Sequence, residues 1–568
     1  MAIMGKTLLA LLLLSSIFSI ALSSKKRRSS YNNIDWWCNQ TPYPEQCKCL
    51  KQDHNYPHRI KHKTEFRNIM VHLALERAVL MRKQAREFEQ TSTTRKQRSV
   101  SRDCVRLYDN TVWHLNRTFQ FLHDKNKRRK ECSPFDAQTW LSTSRTNIQT
   151  CQRGALELRI PHFIVPIMKN NVTEIISNGL YVNWGFVKQE KEHYTGDAEY
   201  NTEKTEHFTE NYTEETEHDT EKTEHHTGES REGGFPRWFS THERKLLQSS
   251  KIKAHLVVAK DGSGHFKTVQ AALDMAARRR FKTRFIIRVK TGVYKENIEV
   301  DKANDNIMLV GDGMKNTVIT SGRSVRDGFT TYSSATAGID GPHFIARDIT
   351  FENTAGPRKG QAVALRSASD LSVFHRCSIK GYQDTLMVHA QRQFYKECYI
   401  FGTVDFIFGN AAVVFQNCII LVRRPLPGQG NMITAQGRDD PFQNTGISFH
   451  NCQIRPAPDL KPVISKFPTF LGRPWQRYSR VVVMKTFMDT LVSPTGWSPW
   501  GNTNFAQSTL YYGEYRNSGP GSSTRNRVRW PGYHVITSPT EASRFTVASL
   551  LAGNSWLPTT GVPFKSGL

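Results

Sequence analysis

Past residue 22, this 568-residue chain contains no apolar stretch approaching the length of a membrane span. With a mean hydropathy of −0.54, that excludes a polytopic membrane protein. Acidic residues are scarce beside basic ones, 51 Asp and Glu against 78 Lys and Arg, giving a formal charge of +27. An excess of that size points to an acidic partner: nucleic acid, anionic membrane or acidic polysaccharide. The compositional poverty of a disordered or collagen-like polymer is also missing, because hydrophobic residues make up 38% of the chain and can bury a core. One ordinary domain of roughly 100–150 residues cannot account for the length. Two or three units, or one long repetitive one, are expected.

The one long apolar run, Leu8 to Leu22, follows Lys6 and ends at Ser23 and Ser24. A charged start, an apolar core and a small-residue exit make residues 1–24 a secretory signal. The basic cluster Lys25, Lys26, Arg27 and Arg28 leaves a retained signal anchor as the alternative. The chain is read as secreted, with no stable membrane span. Export makes the ten cysteines candidates for disulfides. Glycosylation sequons at Asn39, Asn116, Asn171 and Asn211 fit the same route. A nucleic-acid partner fits neither the signal nor the sequons and is set aside.

Aliphatic residues are almost absent from Gln189 to Glu229, where Glu, Thr and His dominate and the hexapeptide TEKTEH occurs at 202–207 and 220–225. Such a tract cannot bury enough apolar surface to offset its ordering entropy, so 189–250 is expected to be a disordered linker. Its histidines are read as part of a solvated spacer rather than as metal ligands. The dibasic pair Arg244 and Lys245, followed by Leu246 and Leu247, lies where a protease can reach. Upstream, residues 25–188 read as helical. Phe66, Ile69, Met70, Leu73, Ala74 and Leu80 recur at helical spacing, as do Cys104, Leu107, Tyr108, Val112 and Leu115. Several such segments predict an all-α bundle. Nothing there pairs a nucleophile with a base.

Residues 251–568 lose that periodicity. Short β-branched runs such as Phe285 to Val289 alternate with Gly, Asn and Asp. An internal repeat, aromatic-x-x-Cys-x-Ile, occurs at Phe374/Cys377/Ile379, Tyr395/Cys398/Ile400, Phe415/Cys418/Ile420 and Phe449/Cys452/Ile454. A related version is expected at Phe344/Arg347/Ile349. The steps between cysteines are 21, 20 and 34 residues, the length of a solenoid coil, and the short β segments make the solenoid a parallel β-helix. The 34-residue coil would carry a longer loop.

The same repeat positions chemistry. Asp384 lies seven residues after Cys377, and Asp405 seven after Cys398. If the cysteines stack on successive coils, the aspartates stack as well, about 4.8 Å apart. Two carboxylates that close cannot both ionise freely, so one becomes a proton donor and the other stays an anion able to act as nucleophile or base. The alternative is two turn aspartates sharing a loop position, and Asp459, seven after Cys452, warns that the register can be hit by accident. Gln383 adjoins Asp384, and Gln361 lies one coil earlier; carboxamide N–H groups can stabilise an oxyanion. Arg473 can hold a carboxylate ionised, and Trp475 can stack on a sugar face, against the blander readings of surface cation and core aromatic.

These residues resemble plant pectinesterases (pectin methylesterases). The resemblance is carried by Gln361–Arg366 (QAVALR), Gly381–Leu386 (GYQDTL), Gly402–Ala412 (GTVDFIFGNAA) and Leu471–Trp475 (LGRPW), with Val258–Gly264, Gly311–Gly313 and Ala346–Phe351 matching as well. It covers roughly 250–565. It implies an all-β right-handed parallel β-helix, and an esterase that uses no metal or other cofactor and acts on methyl-esterified homogalacturonan. It further implies Asp405 as nucleophile, Asp384 as proton donor and then base, Gln383 as transition-state stabiliser, and Thr331, Gln361, Arg473 and Trp475 as substrate-binding. A Cys398–Cys418 disulfide is implied too. Met387 stands where the family usually has tyrosine. The 40 Lys and Arg against 21 Asp and Glu from 251 onward suit a polyanionic product; retention in an anionic matrix is the other reading.

The helical part resembles the pectinesterase-inhibitor domain often fused ahead of such enzymes, through Cys38 to Cys47, Asp103–Tyr108 (DCVRLY), Asp136–Leu141 (DAQTWL) and Cys151. That implies a four-helix bundle with Cys38–Cys47 and Cys104–Cys151 disulfides, held as an intramolecular inhibitor until a protease cuts near 244–247, where Phe235–Trp238 and Arg244–Leu247 resemble the family's processing region. Cys49 and Cys132 are additional. A monomer acting in the cell wall is expected. The rival readings are a polygalacturonase-type glycoside hydrolase on the same scaffold, a non-catalytic pectin-binding wall protein, and a bundle that inhibits other esterases in trans.

Overall fold

The computed structural model describes residues 33–48, 50, 56, 59–123, 132–206, 253–280 and 283–568, with backbone alone for 191–206. The expected signal, Cys49, the sequon at Asn211 and the processing region at 244–247 lie outside the described residues. Among those described, no helix is long and apolar enough to cross a membrane.

Four long helices form the first half: α1 (Lys63–Gln90), α2 (Arg95–His123), α3 (Pro134–Glu157) and α4 (Val172–Glu206). α1 packs on α2 and α4, and α3 packs on the same two, closing a bundle. Its core takes Phe66, Met70, Ala74, Leu107, Leu115, Ile148 and Leu180. Leu80, expected on that stripe, is 52% exposed, while Ala78 is fully buried. The 3.6-residue turn carries the stripe from Ala74 to Ala78, and two further residues rotate Leu80 outward. α3 starts at a capping box: Asp136 N–H donates to the Ser133 hydroxyl (3.3 Å) and Ser133 N–H to the Asp136 carboxylate (2.7 Å), with Pro134 opening the helix. Disulfides Cys38–Cys47 and Cys104–Cys151 are formed. α4 continues to Glu206, so the first part of the expected linker is helical.

The second half is a parallel β-helix of three sheets with 11, 8 and 7 strands, every pairing between them parallel. From Ile345 onward, coils cross from the first sheet to the second through one residue in the left-handed region. Asp348, Arg376, Glu397, Asn417 and Asn451 occupy that corner on successive coils. Just inside it the repeat builds two columns. Phe374, Tyr395, Phe415 and Phe449 stack in register at 4.7, 4.8 and 5.1 Å between ring centroids. Beside them Cys377, Cys398, Cys418 and Cys452 are buried. Phe344 departs from the expected alignment, since Ala346 is the residue opposite Phe374. A shift of two keeps the inward face, and the Phe344 ring still packs 5.8 Å from Phe374.

Cys398 and Cys418, expected as a disulfide, stand as separate thiols. In-register neighbours on a parallel sheet send their Cβ atoms the same way at a rung spacing of about 4.8 Å. A disulfide needs Cβ atoms about 3.5–4.5 Å apart with the sulfurs turned toward each other. Each thiol instead donates to a carbonyl of the coil before: Cys398 to Phe374 (3.2 Å), Cys418 to Tyr395 (3.4 Å) and Cys452 to Phe415 (3.3 Å).

Candidate active site

The third sheet faces the bundle, and its outward row sets the site. Successive strands place Arg366, Met387, Phe408, Ala435 and Arg473 opposite one another. Just ahead of that row, Asp384 and Asp405 stand on successive coils, as the repeat predicted: Leu386 pairs with Ile407, two residues beyond each aspartate. Asp384 N–H donates to the Val404 carbonyl (3.0 Å). Both aspartates adopt left-handed backbone, φ 60° and 51°, a conformation that a short polar side chain tolerates better than most. Asp459, the accidental hit in the spacing, instead forms a surface ion pair with Arg423 (3.4 Å).

Arg473 holds Asp405 through both oxygens, Nε to Oδ1 at 2.8 Å and Nη2 to Oδ2 at 2.6 Å. The Arg473 guanidinium also lies 4.5 Å from the centre of the Trp500 ring, a neighbour absent from the expected set. Burial raises the pKa of both carboxyls, more for Asp384, where the negative Asp405 and then Glu157 add to desolvation; at Asp405 the Arg473 contact opposes the rise. The pair is therefore polarised into a proton-holding Asp384 and an arginine-bound Asp405. Gln361 and Gln383 are half-buried on adjacent coils, joined where Ala362 N–H donates to the Gln383 carbonyl (3.3 Å).

Trp475 packs edge-on to Phe408 (5.9 Å) over Gly437, where a Cβ would meet the indole at 2.8 Å. Met387 and Phe408 complete an apolar floor. Arg366, inside the quoted motif but given no role, is buried and paired with Asp340 (2.8 Å) and Glu299 (2.9 Å).

The bundle lies on this face, and one stripe of α3 meets it along the whole length of the helix. Gln138 donates to the Phe442 carbonyl (2.6 Å) and Ser142 to Asn444 (3.2 Å). Arg145 grips Asp439 (2.7 Å), Thr146 accepts from Asn410 (2.9 Å), and Thr150 meets His389 (2.8 Å). At the C-terminal end, the Arg153 guanidinium sits 4.5 Å over the Trp475 ring. Gly154 lets the helix approach until a Cβ would stand 3.0 Å from the Thr330 methyl. Glu157 accepts from the Thr331 N–H (2.8 Å) and from its hydroxyl. On α2, Asp103 accepts from Thr330, and Arg106 enters an acidic group of Asp340 (2.7 Å), Glu299 (2.8 Å) and Asp301 (3.0 Å). No spacing in the sequence announced Arg153, Glu157 or Arg106, because their partners lie some 170 to 320 positions further along the chain.

Both halves of the chain match known families. The sequence profile of the family described as Pectinesterase matches residues 255–554, and that of Plant invertase/pectin methylesterase inhibitor matches 32–182. "Probable pectinesterase/pectinesterase inhibitor 59" of Arabidopsis thaliana is 53% identical over 540 residues, covering 94% of each chain. "Pectinesterase 2" of Citrus sinensis is 47% identical over 560 residues, 99% of this chain and 100% of that one. Among solved structures, "Pectin methylesterase from Carrot" superposes with a TM-score of 0.55 at 56% identity, covering 56% of this chain and 100% of its own. The chain belongs to the pectinesterase family, with a pectinesterase-inhibitor domain ahead of the esterase β-helix.

Proposed function

We propose that this protein removes methyl groups from galacturonate esters of cell-wall pectin, releasing methanol, and that its bundle holds the enzyme latent until the two halves part. The observation that carries the chemistry is the asymmetric pair: an Asp405 held through both oxygens by Arg473, one coil from a buried Asp384. An Asp405 oxygen attacks the ester carbonyl carbon, and the resulting oxyanion faces the amides of Gln361 and Gln383. The intermediate collapses to an anhydride as the carbon–methoxy bond breaks, and Asp384 gives its proton to the departing methoxide. Now ionised, Asp384 takes a proton from water, and the hydroxide attacks the galacturonyl carbon of the anhydride. That step frees the Asp405 carboxylate and leaves a galacturonic acid unit. Thr331 and Trp475 line the groove that holds the polymer, and the net positive β-helix retains a chain that gains charge with each turnover.

Latency rests on α3 covering Thr331 and Trp475. The carrot structure corresponds in extent to the β-helix alone, so this half is expected to stand without the bundle. We further propose export to the cell wall with loss of residues 1–24, proteolytic separation near Arg244–Leu247, and action as a monomer. The test is methanol release together with reducing-end formation on highly methylated pectin, for residues 251–568 and an Asp405→Asn variant. Methanol without new reducing ends, lost in the variant, supports the esterase. New reducing ends would assign the aspartates to glycosidic cleavage, and neither product from folded protein would leave a pectin-binding protein.

A further inference from the structure

Two groove residues on which substrate recognition would rest, Thr331 and Trp475, are each engaged by side chains one helical turn apart on α3. Arg153 covers the indole face, where a sugar ring would stack. Glu157 presents a carboxylate to Thr331, which receives it with two donors at once, its backbone N–H and its hydroxyl. Two donors on one carboxylate make a charge-assisted, geometrically specific contact. The half-buried carboxylate raises the pKa of Asp384 through its charge, so it stands within the field of the catalytic pair. A galacturonan offers the groove the same two features in sequence, a ring face and a carboxyl group. Gly154 between them permits the close approach that brings both into place.

We propose that Glu157 is a pseudosubstrate carboxylate: it fills the place on Thr331 that a uronate carboxyl of the polysaccharide takes, and so makes the bundle a competitor for the groove rather than a mere cover. The proposal rests on the esterase and latency readings above. A tethered occupant competes with substrate, so its effect falls on apparent KM and leaves kcat unchanged. Loss of the acid then relieves latency even where the shape of the side chain is kept.

The experiment compares methanol release by full-length wild type, Glu157→Ala and Glu157→Gln with that of the separated β-helix, across pectin concentrations, with thermal melting to verify folding. Both variants are expected to lower the apparent KM of the full chain by about ten-fold or more, with kcat within about two-fold. Relief by Ala with Gln as latent as wild type would reduce Glu157 to a packing contact and overturn the proposal. So would full latency in both variants beside an active β-helix. A wild-type chain as active as the β-helix would sink the latency reading and the proposal with it. Absence of methanol from every sample would sink the esterase reading itself.

Discussion

Arg473 binds Asp405 through two parallel N–H···O bonds of 2.8 and 2.6 Å, a fork that lysine cannot reproduce. In the separated β-helix, Arg473→Lys is expected to lower kcat by roughly 10²-fold, the scale of losing one well-placed electrostatic group. The arginine opposes the burial-driven rise in the Asp405 pKa. Its loss therefore raises that pKa further, and the acid limb of the pH–rate profile moves to higher pH. An unmoved acid limb would separate Arg473 from the ionisation of Asp405.

In the proposed mechanism Asp384 carries a proton when methoxide leaves. Asp384→Asn is expected to reduce kcat by about 10²–10⁴-fold. Because the Asp384 pKa is raised by burial and by Asp405, the wild-type rate falls as pH climbs through that value. The residual rate of the variant should lack this alkaline limb. Stopped assays of methanol across pH read both effects.

Docking of the two halves is expected to depend on pH. Asp103 accepts from Thr330 at the interface, and burial lifts its pKa to about 7 against the pull of Arg366 and Arg106. A carboxyl raised in the docked state takes up a proton on docking, so its contribution is full below the ordinary aspartate pKa of about 4 and is lost as pH rises toward 7. Lys302, lowered to about 7 by burial near α2, releases a proton on docking and favours it as pH rises above 7. His114 and His389, whose pKa values burial lowers at the same interface, favour docking as pH rises toward 6.5 and oppose Asp103 there. Protection of the full chain against limited proteolysis should therefore fall more between about pH 4 and 7 in wild type than in Asp103→Asn, which isolates the Asp103 contribution.

The inner column makes a stability prediction. Phe415 is buried and stacks on Tyr395 and Phe449 at 4.8 and 5.1 Å. Phe415→Ala should cost about 3–5 kcal/mol by denaturant unfolding.

The thiols give an independent check. Without reductant, an alkylating reagent should label Cys398 and Cys418 in denaturant and leave them unlabelled in the folded protein, because both are fully buried. Resistance to alkylation in denaturant would restore the disulfide.

The pairing of the two aspartates was legible because a constant offset from a repeated residue survives folding intact: Asp384 and Asp405 share one position relative to Cys377 and Cys398, and coils stack by that register. The same logic slipped at Phe344, where the repeat motif and the strand register differ by two residues, a shift that the inward face tolerates. It also gave no warning about the thiols, since being neighbours on adjacent coils does not turn two sulfurs toward each other. Glu157 and Arg153 were invisible for another reason. Their meaning lies in a packing between two folding units, and no local period in either unit encodes it.

The long polar stripe of α3 has a consequence for how this protein can change. In the proposed function one groove surface accepts two guests, a helix and a polysaccharide, and Thr331 and Trp475, which meet the helix, would serve both. A substitution that tightens the fit to one guest alters the fit to the other, so the surface is under double constraint. Freedom to adjust restraint without touching catalysis then belongs to the helix side, at positions such as Gln138, Ser142, Thr146 and Thr150, whose partners are Phe442, Asn444, Asn410 and His389 rather than Thr331, Trp475 or the two aspartates. The strength of the brake can drift there while the engine stays as it is.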